Sequence, residues 1–166
     1  PNKLQLHSPI YKKASMATKR KVFNEYVDYV LPVMTYGSET WALTATQREL
    51  LAVAQRKMER IMLGITLLDR RTNTWIRKQT EVTDINTVIK TSKHRWAGHV
   101  PRRHDNRWTI RTTEWTPREH RRPRGRPKTR WRNELENCMG RTWQRVAHDR
   151  RRWLKSREDN NERYAP

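Results

Sequence analysis

The feature that most constrains the fold is a series of apolar residues at helical spacing in residues 46–64, TQRELLAVAQRKMERIMLG. Thr46 and Glu49 have the spacing of a capping box, and Gly64 lies where glycine commonly ends a helix. The face predicted to point inward comprises Leu50, Ala54, Met58 and Ile61. The polar residues largely outside this face are Arg48, Gln55, Arg56, Glu59 and Arg60. The segment therefore predicts an amphipathic helix that packs its apolar face against other elements.

The same period recurs in three other parts of the first hundred residues. A helix is predicted from Thr18 to Pro32, where proline ends it because it lacks a backbone N–H. Residues 73–79 predict a short helix, and a long one is predicted to start at Asp84 and to run past Trp96. Its inward positions are Ile85, Val88, Ile89, Ser92, Trp96 and Val100. Its more exposed positions are Lys90, Lys93, His94 and Arg95.

The composition changes after Pro101. Residues 102–166 contain twenty Lys and Arg against nine Asp and Glu, and five of the eight tryptophans. Trp108 and Trp115 are predicted to lie in a loop or a short strand. We therefore interpret the first part of this region as a basic, extended linker.

Two short helices are predicted at the carboxy-terminal end. The first covers residues 131–139 and ends at Gly140, and the second runs from Thr142 to about Arg157. The stripe predicted for the second helix is Trp143, Val146, Ala147 and Leu154. The prediction is an all-α protein in four parts: an irregular lead-in (1–17), a small helical bundle (18–101), a basic linker (102–130) and a short helical tail (131–166).

The charge points to a polyanionic partner. Thirty-seven Lys and Arg against seventeen Asp and Glu give a formal net charge of +20, which attracts nucleic acid. Residues 121–131, RRPRGRPKTRW, have almost nothing apolar to bury, so they are not expected to form a core. Within them, residues 123–128 resemble an AT-hook in their chemistry, because two arginines could enter the narrow minor groove of A·T-rich DNA. The alternative is a solvated basic tether that contacts phosphates of any nucleic acid. We favour this interpretation because the AT-hook-like motif occurs only once in the sequence.

The tryptophans allow two interpretations as well. Trp41, Trp75, Trp96 and Trp143 lie beside aliphatic residues and are most simply core residues. Trp108, Trp115 and Trp131 are each flanked by arginine or lie next to the basic loop and could stack on unpaired bases, although packing is slightly favoured even there. The candidate nucleic-acid contacts are Lys93, Arg95, Arg107, Trp108, Trp115, Arg121, Arg122, Arg124, Gly125, Arg126, Lys128, Arg130, Trp131 and Arg132.

Motifs for catalysis or cofactor binding are missing from the sequence. It has no paired aspartates of a polymerase, no glycine-rich phosphate loop and no nucleophile with a base. His94, His99 and His104 are five residues apart, which places them on different faces of a helix, and Cys138 is the single cysteine. We expect no enzyme activity, no cofactor, no metal and no membrane anchor, and an intracellular location that is nuclear or ribonucleoprotein-associated.

Six ordered segments carry a resemblance to a known family: KRKVFNEYV…LPVMTYGSETWALT, AQRKMERIMLGITLLDR, WIRKQTEVTDI, HRWAGHVPRRHDNRWT, EWTPREHRRPRGRPKTRW and GRTWQRVAHDRRRW. Together, over roughly residues 19–155, they resemble the carboxy-terminal part of the reverse transcriptase of non-LTR (LINE-type) retrotransposons, in particular the RTE group. The resemblance implies that residues 18–101 correspond to the helical thumb and that the later residues correspond to a basic tail. The palm, with its catalytic aspartates, is absent from the sequence.

Two classes of function follow. The first is a module that grips RNA or DNA during target-primed reverse transcription, as a fragment of such a polymerase or a protein derived from it. The second is a structural subunit recruited into a ribonucleoprotein or protein assembly. Its partners would then be other protein subunits, including the remaining polymerase domains.

Overall fold

The computed structural model describes residues 15–103, 108–115, 125 and 129–163, and for residues 16, 17, 20 and 157–163 it describes the backbone only. Within these residues the protein is helical and has no strand, which confirms the all-α prediction. The α-helices are α1 (Met16–Glu25), α2 (Leu31–Met34), α3 (Ala45–Leu63), α4 (Asn73–Thr80), α5 (Ile85–His99), α6 (Trp108–Glu114), α7 (Trp131–Met139), α8 (Trp143–His148) and α9 (Arg150–Arg163). Short 3₁₀ turns cover Ser38–Thr40 and Leu67–Asp69.

The chain divides into two compact units, each of which is discontinuous in sequence. Among the described residues, the first unit combines residues 15–36 with Ala45–Val88. The second unit combines Gly37–Thr44 with residues 89–163. The short segment Gly37–Thr44 therefore belongs to the same unit as the carboxy-terminal helices.

The first helical region of the first unit does not end at Pro32. A π-helical turn, Tyr26–Val30, follows α1 and leads into α2, where Pro32 occupies the first turn. The amide of Leu31 donates to the Tyr26 carbonyl, five residues back, so the wider turn lets the chain pass the missing proline N–H. The prediction that Pro32 ends the helix is therefore wrong. Phe23, Tyr26 and Leu31 supply buried side chains.

Helix α3 confirms the strongest helix prediction, but its inward face differs from the predicted one. It begins at Ala45, before Thr46, and ends at Gly64, whose φ of +69° is the left-handed conformation that glycine adopts readily. Leu50 is 63% exposed, and the buried residues are Ala52, Gln55, Glu59 and Leu63.

Gln55 is buried because its amide bridges the turn before α5. Its Nε2 donates to the Thr83 carbonyl at 2.8 Å, and its Oε1 accepts from the Ile85 amide at 2.9 Å. Helix α4 confirms the short helix, with Thr72 as its N-cap. Ile76 of α4 and Ile85 of α5 are completely buried, so this polar bridge lies among apolar side chains. Apolar periodicity cannot predict a buried glutamine whose side chain forms hydrogen bonds with backbone groups.

The second unit has a core built largely from tryptophan. Ala97, Leu135, Trp143, Ala147 and Trp153 are buried together. Trp131, Met139 and Val146 pack against them. The Trp143 ring lies 6.2 Å from that of Trp131 and 6.3 Å from that of Trp153, in tilted and edge-on geometries that aromatic rings favour. The assignment of Trp143 to the core is thus confirmed.

The carboxy-terminal helices follow the prediction in part. Helix α7 has the predicted bounds, and Gly140 has the positive φ of a glycine at a helix end. The second predicted helix is instead two, because Asp149 is extended and its carboxylate accepts from the amides of Arg151 and Arg152 at the start of α9. This break changes the register, so Trp153 is buried in place of the predicted Leu154. The prediction of one continuous helix is wrong.

Gly98 lies where α5 meets the Trp153 indole. A Cβ added at Gly98 would come within 2.7 Å of Trp153 Cδ1, and that indole donates to the His94 carbonyl at 3.2 Å. His94 also stacks on Trp153, with centroids 4.1 Å apart, so the indole is held from two sides. The helix needs glycine here for close approach.

We predict that Gly98→Ala destabilises the protein by on the order of 1–2 kcal/mol, because overpacking outweighs the better helix propensity of alanine. Urea denaturation followed by tryptophan fluorescence measures the change. In a Trp153→Leu background the indole is gone, and the same substitution should be neutral or stabilising. An equal cost in both backgrounds would contradict the steric explanation.

Candidate nucleic-acid interface

Helix α6 presents two tryptophans to solvent. Trp108 begins the helix and is 73% exposed, and Trp115 follows its last residue and is 67% exposed. The predicted loop or short strand is therefore wrong for this segment, which forms a helix. The Arg111 guanidinium carbon lies 5.5 Å from the Trp108 ring centroid, a cation–π distance. Tryptophan exposed to this degree contributes little to a core, so these residues are available to a ligand.

An open cavity of about 560 Å³ lies beside α6 within the second unit. It is lined by Thr40, Trp96, Thr109, Thr112, Thr113, Trp115, Arg130, Trp131 and Arg132. The cavity brings together Trp115, Arg130, Trp131 and Arg132, four of the residues predicted as nucleic-acid contacts. Thr40 was not predicted, because it is some ninety residues distant in sequence from the arginines.

The indole of Trp131 forms one wall of the cavity and is held at several points. Its Nε1 donates to the Glu39 carbonyl at 2.6 Å, and its ring packs on the Trp143 core residue. The Lys93 ammonium lies 5.5 Å from the ring centroid. Trp131 is therefore a positioned wall of the cavity as well as a packed residue.

Three of the four threonine hydroxyls of the wall use their hydrogens inside the protein. Thr112 donates to the carbonyls of Trp108 and Thr109 at 2.9 and 3.1 Å, and Thr113 donates to the Thr109 carbonyl at 2.7 Å. The Thr40 hydroxyl donates to the Gly37 carbonyl at 2.8 Å. A hydroxyl whose hydrogen is engaged can still accept, so these groups offer acceptors rather than donors.

Lys93 lies beneath this surface, which corrects the prediction that it is exposed. It is only 1% exposed, and its ammonium donates to Glu134 Oε2 at 2.6 Å and to the Trp41 carbonyl at 3.0 Å. A buried ammonium needs such partners, because burial without them costs several kcal/mol. Lys93 thus supports the cavity wall rather than presenting charge to a phosphate. His94, also predicted as exposed, is buried against Trp153.

The other predicted contacts are distributed unevenly. Arg95 and Arg130 are exposed, and Arg132 lies 3.5 Å from Glu136 one helical turn away. Gly125 is exposed, with a φ of +113° that L side chains rarely adopt, and a Cβ there would meet open space. Six further predicted contacts lie outside the described residues: Arg107, Arg121, Arg122, Arg124, Arg126 and Lys128. The AT-hook and the tether interpretations both remain predictions.

Within the described residues, no three His, Cys, Asp or Glu side chains are placed to hold a metal ion. None of the helices in that part of the chain is both long and apolar enough to cross a membrane.

Comparison with known proteins finds a relative of transposon origin. The chain is 35% identical over 153 residues to an uncharacterized transposon-derived protein of Caenorhabditis elegans, an alignment that covers 84% of this chain and 55% of the relative. The chain therefore spans about half the length of the curated relative it matches. This identity supports a transposon origin for the chain. No protein-family model and no solved structure matches it.

Proposed function

We propose that the second unit binds nucleic acid through the surface around α6 and the start of α7. The observation that carries this proposal is a cavity lined by three indoles and two arginines, with one further exposed tryptophan, Trp108, on the neighbouring helix α6, on a chain with a formal net charge of +20. Arginine contributes attraction to phosphates, and tryptophan contributes a flat surface on which bases stack. Exposed indoles without positive charge would suit an apolar partner instead.

The wider function that we propose is that of the thumb and basic tail of a LINE-type reverse transcriptase. In this role the chain holds RNA template or target DNA during target-primed reverse transcription, and it is not catalytic by itself. The transposon-derived relative supports the origin, and the resemblance of the six segments supports the type of element. A nuclear or ribonucleoprotein-associated location would follow from that role.

One observation favours the second candidate, a structural subunit. In the first unit, Tyr29, Val33 and Tyr36 are exposed at spacings of four and three residues. Tyr29 lies in the π-helical turn, Val33 in α2 and Tyr36 in the turn that follows, so three exposed apolar side chains occur within eight residues, where an apolar protein partner could pack. The two candidates differ in what the chain should bind.

Salt dependence of binding tests the proposal. We expect the logarithm of the association constant for labelled RNA or DNA to fall linearly with the logarithm of salt concentration, by about 0.9 per duplex phosphate contact and about 0.7 per single-strand contact. Arg130→Ala and Arg132→Ala should each reduce the slope by about the amount that corresponds to one phosphate contact. Lys57→Ala, which removes an exposed lysine of α3 in the first unit, is the control and should leave the slope unchanged. A flat salt dependence would refute nucleic-acid binding and favour the structural subunit.

A further inference from the structure

We infer that the cavity of the second unit takes a single unpaired nucleobase, so that the protein selects single-stranded over double-stranded nucleic acid. This inference rests on the proposed nucleic-acid binding and adds to it the form of the ligand. It goes beyond charge, because phosphates attract the protein in either form of nucleic acid. The difference arises from a concave aromatic site that only an exposed base can enter.

The size and the walls of the cavity suit a base. Its volume of about 560 Å³ lies in the range of small-ligand sites, roughly 300–1,000 Å³. The aromatic walls are the indoles of Trp96, Trp115 and Trp131. A base in a duplex is covered on both faces by its neighbours, so it cannot offer a face to these indoles without unstacking, which costs a few kcal/mol.

The charges on the lining suit the backbone that carries the base. Arg130 and Arg132 flank Trp131 in sequence and line the same cavity, whereas none of the lining residues that the structure describes is acidic. A base that stacks on the Trp131 indole therefore brings its phosphates towards arginines. Glu136 is close to Arg132 at 3.5 Å, but this partly exposed pair is weak, so a phosphate can compete for the guanidinium.

Four polar groups of the wall have no hydrogen left to donate to a base, which favours stacking over recognition of base edges. The hydroxyl hydrogens of Thr40, Thr112 and Thr113 and the indole N–H of Trp131 are already donated to backbone carbonyls. Sequence-specific recognition needs free donors and acceptors matched to a base edge. Stacking, in contrast, tolerates every base because every base has a π-face.

Trp115 and Trp108 give the matched variants that test the inference. Both are exposed and both belong to the α6 segment, but Trp115 lines the cavity and Trp108 does not. Because both side chains are largely in solvent, neither substitution should unfold the protein, and circular dichroism verifies the helix content.

The experiment measures the affinity of the full chain for one short mixed-sequence DNA oligonucleotide as a single strand and as a duplex, at the same salt concentration. We expect the single strand to bind more tightly. Trp115→Ala should weaken single-strand binding by about five- to a hundredfold, the equivalent of one stacked base, and leave duplex binding unchanged. Trp108→Ala should keep the single-strand preference, and Trp115→Phe should restore much of it.

The outcomes separate the two proposals. Equal affinity for single strand and duplex, or a preference that survives Trp115→Ala, would overturn the inference about the cavity and leave nucleic-acid binding intact. Failure to bind either form would overturn the proposed function and the inference together.

Discussion

Replacing Glu134 with alanine should lower the free energy of unfolding by about 3–5 kcal/mol, since it leaves the buried Lys93 ammonium without its carboxylate. The two groups are 2.6 Å apart, and both lie in the second unit beneath the Trp131 wall of the cavity. Breaking one side of a buried ion pair costs more than the pair itself contributes, because a charge stays in a medium that solvates it poorly. Urea denaturation followed by tryptophan fluorescence measures the loss.

Two controls separate charge burial from general damage to α7. Glu136→Ala removes a carboxylate of the same helix whose pair with Arg132 is longer and partly exposed, so it should cost less than about 1 kcal/mol. The double variant Lys93→Met with Glu134→Leu removes both charges and should recover most of the stability. A double variant as unstable as Glu134→Ala would show that helix packing, not the unpaired charge, causes the effect.

Replacing Glu59 with glutamine should raise the free energy of unfolding at neutral pH, because the amide keeps the shape of the side chain and removes a buried charge. Glu59 is completely buried in the first unit, and neither carboxylate oxygen has a hydrogen-bond partner among the described residues. Burial raises the pKa of Glu59, and the charge of Asp84 raises it further, against the opposing charges of Arg77, Arg56 and Arg60. Tyr26 lies near enough for the Glu59 charge to add to the effect of burial in raising its own pKa.

The direction of the pH dependence follows from the raised pKa. The folded state binds the Glu59 proton more tightly than the unfolded state does, so folding is most favoured when the carboxyl is neutral. Stability should therefore fall as the pH rises from the usual glutamate pKa, about 4.3, through the raised value, and this slope should be absent in Glu59→Gln. Asp84 acts in the opposite sense at lower pH: burial raises its pKa, but the hydrogen bond and charge of Arg77 outweigh burial and lower it.

The difference between Glu59→Gln and the unchanged protein between about pH 5 and pH 8 gives the contribution of Glu59, because other groups that titrate in this window are present in both proteins and the lowered pKa of Asp84 keeps its contribution below it. Glu49→Gln is the matched control, since Glu49 belongs to the same helix but is exposed and pairs with Arg56 at 2.5 Å. It should change stability by less than about 1 kcal/mol and leave the pH slope intact. A Glu59→Gln protein with the unchanged slope would contradict the assignment to Glu59.

The positions of helices could be predicted from the sequence where the helical spacing of apolar residues agrees with residues that typically end a helix. Helix α7 has the predicted bounds because Trp131, Leu135 and Gly140 give both signals at once. The faces were harder to predict, because hydrophobicity does not foresee polar groups whose partners are distant in sequence. Gln55 and Lys93 are both buried for that reason. The helix break at Asp149 was not predicted. It depends on a local hydrogen bond from the Arg151 amide to the Asp149 carboxylate, and apolar periodicity carries no information about such bonds.

The types of residue in the candidate site could be predicted from the sequence, but their arrangement in space could not. Tryptophan beside arginine or next to the basic loop indicated Trp115, Arg130 and Trp131 as candidates, and the cavity brings them together. The contribution of Thr40 could not be foreseen, because it depends on tertiary contacts between the Gly37–Thr44 segment and α7. Likewise, sequence did not distinguish Trp108, outside the cavity lining, from Trp115 within it.

The membership of Gly37–Thr44 in the second unit has a consequence for how the protein is made. The Trp131 indole that bonds to the Glu39 carbonyl is encoded 92 residues later. At about 5–20 residues per second of synthesis, Glu39 is made roughly 5–18 s before its partner. Trp153, a core residue of the same unit, follows later still. During translation the second unit therefore cannot close until α7 and the helices that follow it have been made.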